Sequence, residues 1–411
     1  MTSRSRRVAG ILSLALAATL LAGCTAPEQP EEVEEEVSPG ITDDVLRLGM
    51  SAPLTGSAAD AGLCAVAGLV SYLEAGNAAG GFEFGDGLTR EVTLDYLDDA
   101  SDPATAQANF RELADDGVFA YVGGLGTSTN AAIAPVADEL EVPHVLLLTG
   151  ARAFSSDQTA YPWTMGLLPT YYDEGFAFGR LLVARGTESV ATLTQDDAYG
   201  EDYLEGLRAA IEGSDVKIVA SATVDPSAAT LEPQVRELAA SAADALLSAV
   251  SVASLQAGVL SSAQGFGWLP EVFLPSNTAT PATVVLPGNG AAYPAVYTTA
   301  FAKVPGDPEV AGDADVVAYG EAFAQTGAAI APTYTPHCAW SYTEGAILGQ
   351  AFARMEAPTR AAFLDALRSL DGVDAPLLLP GVEVDTTDPT RPALRGLVVE
   401  RFDGQAFTPL D

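Results

Sequence analysis

From Val45 to Leu274 the chain alternates two kinds of apolar segment, and this alternation leaves few folds open to it. Leu46, Leu48 and Met50 recur at every second position, as in a strand, after which Leu63, Val66, Val70 and Leu73 fall on one helical face. The unit then repeats. A strand at Val92 to Leu97 precedes a helix opened by Asp102-Pro103, an N-cap followed by proline in the first turn. A strand at Val118 to Val122, a helix from about Asn130 to Leu140 and a strand at Val142 to Leu148 follow. Strands separated by helices predict a parallel sheet covered on both faces.

The pattern pauses at Tyr161 to Thr170 and restarts. Helices at Tyr171 to Ala184, Tyr199 to Ile211, Leu231 to Ala240 and Val252 to Ala263 alternate with strands at Val190 to Thr194, Val216 to Ala220, Ala245 to Val250 and Val272 to Leu274. A third section holds an extended stretch at Ala295 to Ala300, helices near Asp315 to Gln325, Cys338 to Arg354 and Pro358 to Leu370, and strands near Val382 and at Leu397 to Phe402. It has no sheet of its own large enough to pack on, so it must complete the first two halves. The expected fold class is α/β, with two Rossmann-like lobes, several chain crossings and a cleft between lobes. Open parallel sheets bind ligands beyond the carboxyl ends of their strands, and two facing sheets suit closure on a small molecule.

The N-terminus supplies the compartment. Arg4, Arg6 and Arg7 precede an apolar run from Val8 to Ala22, shorter than the ~20 residues a membrane span needs, and Leu21-Ala22-Gly23-Cys24 ends it. This quartet resembles the bacterial lipobox, which predicts a signal peptide over 1–23 and lipid on Cys24. The Glu- and Pro-rich segment after it reads as a disordered acidic tether, over 24–43. The chain of 411 residues carries 55 acidic against 19 basic residues, a formal charge of −36, which argues against nucleic acid as a partner. With His144 and His337 as the only histidines and no clustered cysteines, no metal and no cofactor is expected. His144, in the apolar run Val142 to Leu148, reads as a buried strand histidine. Once Cys24 is lipidated, Cys64 and Cys338 remain. A disulfide between them and two buried thiols both fit an exported chain.

The most polar loop at a strand end is Gly123-Gly124-Leu125-Gly126-Thr127-Ser128-Thr129-Asn130. Its glycines allow a tight turn, and unpaired N–H groups at the helix start with the helix dipole favour an anion, a carboxylate being the natural guest. The bland alternative is a plain helix cap made by Ser128 or Asn130. No Gly-Lys-Ser/Thr follows, so the loop is not a nucleotide P-loop. Thr149-Gly-Ala-Arg152, Gln195-Asp-Asp-Ala-Tyr-Gly200, Val250-Ser-Val252 and Pro275-Ser-Asn-Thr278 also end strands and line the same expected cleft. Asp196 and Asp197 read as solvated loop carboxylates rather than catalytic acids. No Gly-x-Ser-x-Gly elbow and no suitably placed His supports an enzyme.

Ser51-Ala-Pro-Leu-Thr-Gly56, Asp98-Asp-Ala-Ser-Asp-Pro103, Tyr121-Val-Gly-Gly124 and Asp197-Ala-Tyr-Gly-Glu201, in this order, resemble the type I extracytoplasmic solute-binding proteins of ABC importers, in the branched-chain amino-acid (Leu/Ile/Val) binding group. The resemblance runs from about Val45 to Phe402. It implies two α/β lobes joined by three crossovers, here 44–165 with about 299–378 and 166–298 with about 379–411. It also implies a monomer that traps a solute between its lobes and delivers it to a permease in the membrane. Position by position, Ser128 matches the serine that holds the ligand carboxylate, with Thr127 beside it. Thr149 matches a position whose backbone carbonyl accepts from the ligand ammonium, Ala151 a position usually held by threonine, and Tyr199 the cleft tyrosine of the second lobe. Ser251 stands where a second tyrosine is expected and Asn277 where an acid pairs with the ammonium. Those departures, and the likeness of Tyr161 to Gly166 to members that bind aromatic or other non-amino carboxylates, leave the amine end of the ligand open. Ser101 and Thr127 replace a family disulfide. The expected function is a lipid-anchored, extracytoplasmic receptor for a small carboxylate feeding an ABC importer, the alternative being a sensor that reports ligand to a membrane regulator.

Overall fold

Two twisted sheets, each opening its strand ends onto a common space, organise the chain. A computed structural model describes residues 37–155, 159–286 and 291–410. The signal segment, Cys24 and most of the tether lie outside the described residues.

The first sheet has six strands, β1 (Val45–Ala52), β2 (Phe82–Glu83), β3 (Thr89–Asp98), β4 (Ala120–Val122), β5 (His144–Leu147) and β6 (Thr164–Gly166), in the order β2-β3-β1-β4-β5-β6. All pairs are parallel except β2 with β3. The second has seven, β7 (Ser189–Gln195), β8 (Lys217–Val224), β9 (Ala245–Ala249), β10 (Glu271–Phe273), β11 (Val296–Ala300) and two late strands. A small hairpin, β12 (Glu383–Val384) with β13 (Leu394–Arg395), precedes those two, β14 (Val398–Phe402) and β15 (Phe407–Pro409). The order is β15-β14-β11-β10-β9-β7-β8, with antiparallel pairing only at β11, β14 and β15. In each sheet the first strand lies inside, so the order in which parallel strands are added reverses between β1 and β4 and between β7 and β9. Loops leaving such neighbours diverge and open a crevice at the strand carboxyl ends.

One core packs Leu46, Leu48 and Met50 of β1 against the helices Ala59–Ala78 and Pro336–Phe352. Another lies within the second sheet around Leu193, Leu246 and Leu260. A third cluster is shared, joining Phe110, Tyr121 and Leu147 to Phe178, Tyr203 and Phe273. The chain passes between sheets three times, and the passages run side by side. The Leu379 N–H donates to the Phe301 carbonyl at 3.0 Å, Lys303 to Leu377 at 2.7 Å, and Leu394 to Leu167 at 3.0 Å.

Three features differ from the sequence reading. The tether ends earlier than residue 43, because Ile41 is buried, Ser38 donates to the Pro358 carbonyl at 3.0 Å and the Arg47 N–H bonds Gly40 at 2.8 Å. Tyr161 to Thr170 contains an edge strand, β6, whose Thr164 pairs with His144. The last passage comes later than residue 378. Val384, Ala393 and Leu394 bury in the first core, and Thr386 donates to the Leu367 carbonyl at 2.6 Å, so the chain joins the second sheet only at β14.

Cys64 and Cys338 are joined by a disulfide across the helices Ala59–Ala78 and Pro336–Phe352, with Cα atoms 4.3 Å apart. These helices meet backbone to backbone. A Cβ on Gly68 would lie 2.1 Å from the Cys338 carbonyl oxygen, so only glycine fits there. The bond spans 274 residues of sequence. Closing so long a loop restricts the unfolded chain, and its loss costs about 3–5 kcal/mol. Thermal or urea unfolding with and without reductant, and of the Cys64→Ser/Cys338→Ser double variant, should show that loss together with retained far-UV circular dichroism; unchanged stability would contradict it.

Candidate functional site

A cleft of about 730 Å³ lies at the carboxyl ends of both sheets. Nine strand ends contribute, among them Pro53 after β1, Leu125 to Thr129 after β4, Gln195 to Asp197 after β7, Ser251 and Val252 after β9, and Asn277 after β10. His337 and Trp340, from the start of the helix Pro336–Phe352, also line it.

The glycine loop enters the cleft because Gly123 and Gly126 take φ of 62° and 107°, a region that side chains disfavour. A buried amide holds it in place. Asn130 Nδ2 donates to the Gly124 carbonyl at 2.9 Å and to the Gly126 carbonyl at 2.6 Å. Its Oδ1 therefore faces His144 Nε2, 2.9 Å away, and must accept from it. That assigns the Nε2–H tautomer, with Nδ1 left to accept from the Thr164 hydroxyl at 3.1 Å. Complete burial pushes the His144 pKa down to about 3, so the ring is neutral. The buried strand histidine read from the sequence is thus also a support for the loop.

The helix Thr127–Leu140 starts from this loop with Gly126 as N-cap and no side-chain cap. The predicted alternative, capping by Ser128 or Asn130, does not occur. The first N–H groups of a helix have no partner inside it, and here they open on the cleft beside the exposed Ser128, whose hydroxyl has no partner among the described residues. Two neighbouring helices differ. Asp102 accepts from the Thr105 N–H at 2.7 Å and Asp197 from the Gly200 N–H at 3.2 Å, so these termini are already satisfied. Asp197 is half-buried, and desolvation raises its pKa.

Of the predicted residues, Ser128, Thr127, Tyr199, Ser251 and Asn277 line the cleft. Thr149 and Ala151 stand behind its wall: Thr149 Oγ1 lies 3.0 Å from Thr127 Oγ1 and accepts from the Ala151 N–H at 3.3 Å. Tyr199 donates to Asn277 Oδ1 at 3.0 Å, and Asn277 Nδ2 to the Ser251 carbonyl at 3.5 Å. Gln195, which the sequence reading left in a loop, links this side. Its Oε1 accepts from both the N–H and the hydroxyl of Ser251 at 2.6 Å. Glu174 is fully buried and accepts from the Ser276 N–H at 3.1 Å and hydroxyl at 2.9 Å, fixing the turn that presents Asn277. Tyr161 to Trp163, within the segment that suggested aromatic ligands, do not line the cleft; Leu168, just after it, does.

Asp102, Asp196, Asp197 and Asp225 line the cleft, and among the described residues no Lys or Arg does. Burial pushes the His337 pKa down to about 4, so it adds no charge at neutral pH. Asp225 bonds the Ser227 N–H at 2.8 Å, which leaves Asp196 as the lining aspartate without a side-chain partner among the described residues. Leu125, Leu148, Leu168, Val252 and Trp340 supply apolar wall. The arrangement offers N–H and hydroxyl donors at one end and an apolar body, with no activated nucleophile.

A family profile described as periplasmic binding protein matches residues 45–405. The leucine-, isoleucine-, valine-, threonine- and alanine-binding protein of Pseudomonas aeruginosa is 27% identical over 177 residues, 43% of this chain and 45% of that relative, so the match spans under half of the relative's length. A possible leucine/isoleucine/valine-binding protein from Rhodopirellula baltica superimposes with a TM-score of 0.75 at 21% identity, covering 90% of this chain and 97% of the other. A fatty acid ABC transporter substrate-binding protein from Thermomonospora curvata also gives 0.75, at 18% identity and 92% and 94% coverage.

His144's folded pKa, about 3, lies below its ordinary 6.5, so the unfolded chain takes up the proton first as pH falls. Stability should therefore decline from about pH 6.5 towards pH 3, by up to ~1.4 kcal/mol per pH unit for this group. In His144→Leu that share of the slope should vanish, at a cost of about 1–3 kcal/mol for the unpaired Asn130 oxygen. Urea unfolding across this pH range measures both, and a slope identical to the parent's would refute the assignment.

Proposed function

Since the chain belongs to the periplasmic binding protein family, we propose that it is an extracytoplasmic receptor of the Leu/Ile/Val-binding type that captures a small carboxylate in its cleft and hands it to an ABC permease. The observation that carries this reading is the uncapped start of the helix Thr127–Leu140 facing the cleft beside Ser128. An anion there gains the Ser128 hydroxyl, unpaired N–H groups and the helix dipole at once. The names of the related binding proteins, for aliphatic amino acids and for a fatty acid, share a carboxylate group. The apolar wall from Leu125 to Trp340 suits an aliphatic or aromatic body.

Closure of one lobe, 44–165 with 299 to about 395, on the other would bring Ser128 and Tyr199 around the same solute, the three side-by-side passages acting as hinge. Ligand binding then shifts an open–closed equilibrium by its differential affinity for the two states. Lipid on Cys24 with its acidic tether would hold the receptor near its permease and raise their effective concentration. A buried ammonium needs an anionic partner. Asn277 supplies none, so an amine-bearing ligand would have to reach one of the lining aspartates, of which Asp196 has no side-chain partner among the described residues.

A thermal-shift screen against branched-chain amino acids, their 2-oxo analogues and aromatic acids should identify a carboxylate that stabilises the protein by several kcal/mol at ~1,000-fold excess over its dissociation constant. For that ligand, Ser128→Ala should weaken binding about 10- to 100-fold by calorimetry, the worth of a hydrogen bond to a charged group. Unchanged affinity would remove the carboxylate from this loop. If amine-free acids are preferred in the parent, Asn277→Asp should shift preference towards amino acids.

A further inference from the structure

A second cavity, about 710 Å³, lies behind the cleft, and Ser276 and Trp340 line both spaces. Its walls come from both halves of the molecule. β11, β14 and the turn before β15 form one side, and the passage at Phe301 with the helix start at Pro336 and Trp340 forms the other. Phe301 and Trp340 pack with ring centroids 4.8 Å apart, and Phe407 adds a third aromatic surface.

Glu400, on β14, faces this space. It is 7% exposed, and its carboxylate has no hydrogen-bond or ionic partner among the described residues. Among the described residues no Lys, Arg or His lines the cavity; Asp307, Glu309 and Asp403 do, all of the same sign as Glu400, and Asp307 is the one that acts on it directly. Glu174 differs, because it is still more deeply buried but accepts hydrogen bonds from Ser276 and Thr299. Burial, with Asp307 beside it, pushes the Glu400 carboxyl up to about 7. A buried carboxylate without a counter-ion is costly, and at neutral pH a cation set against Glu400 would hold it ionised.

We infer that this cavity is a second ligand site, selective for a small organic cation that sets an ammonium against Glu400 and an apolar body against Phe301, Trp340 and Phe407. Aromatic faces attract ammonium groups as well as apolar surface. A hard metal ion fits poorly, since calcium takes six to eight oxygen ligands, and no group of three or more His, Cys, Asp or Glu suited to a metal occurs among the described residues. An occupant here touches both halves beside the passages at Phe301 and Ala302. If its affinity differs between open and closed states, it shifts binding in the cleft by the same factor that the cleft ligand shifts its own.

The test uses benzylammonium and its neutral analogue benzyl alcohol, titrated into the protein at neutral pH by calorimetry or ligand-observed NMR. Benzylammonium should bind at least tenfold more tightly than benzyl alcohol. Glu400→Gln, nearly isosteric and relieved of the unpaired charge, should retain the parent's melting temperature or exceed it. It should lose at least tenfold in benzylammonium affinity while benzyl alcohol is unaffected. Asp307→Asn, on the loop beside it, should give a smaller loss of about two- to fivefold and localises the site independently of how Glu400→Gln folds. Equal binding of the two probes by the parent, or benzylammonium binding unchanged in both variants, overturns the inference.

Discussion

The cleft depends on one amide. Asn130 spends both its N–H donors on the carbonyls of Gly124 and Gly126, and without that grip a loop with two positive-φ glycines has little else to define its path. Because the donors are committed, the oxygen must find a proton, and His144 supplies it only while neutral and in one tautomer. Thr164 on the edge strand completes the chain of contacts. Two adjacent strands of the first sheet, acting through Asn130 on the helix, thus determine where the Thr127 and Ser128 N–H groups point. A polar network of this kind is useful only when every member is satisfied.

The motifs that carry the family resemblance turn out to be scaffold around this cleft more than ligand contacts. Asp98 accepts from the Leu54 N–H at 2.8 Å and the Thr55 hydroxyl at 2.6 Å, so Ser51 to Gly56 and Asp98 to Pro103 fold onto one another. Asn109 ties the pair from below, donating to Ser51 Oγ at 3.0 Å and the Asp98 carbonyl at 2.9 Å. In Asp197 to Glu201, a Cβ on Gly200 would lie 2.1 Å from the Gln195 carbonyl oxygen. These residues are constrained by backbone geometry whatever the ligand is, which is why they announce a fold and stay silent about a solute.

The same distinction explains what was legible in the sequence. The alternating units were readable because period and length report burial locally, and the polar loop at Gly123 was readable because helix starts have their own chemistry. Gln195 was not, since its bonds to Ser251 depend on β7 lying beside β9, a pairing that no local pattern encodes. Nor was the retreat of Thr149 and Ala151 behind the wall, which follows from Thr127 covering them. The late third passage was misplaced because only Val382 to Val384 alternates before a polar run with two prolines, and Val384, Ala393 and Leu394 bury in the first core. Ile41 was hidden in a polar segment for a related reason: one buried side chain is too little to register as a pattern.

The disulfide has a consequence that depends on where it is rather than on how strong it is. Both of its cysteines belong to the first core, so the bond lies within one half of the molecule, although the helix that carries Cys338 also brings His337 and Trp340 to the cleft. The crosslink therefore enters the free energy of unfolding but drops out of the difference between any two arrangements of the halves. Reducing it acts first on the durability of the scaffold, and reaches a ligand only through the helix start that carries His337 and Trp340.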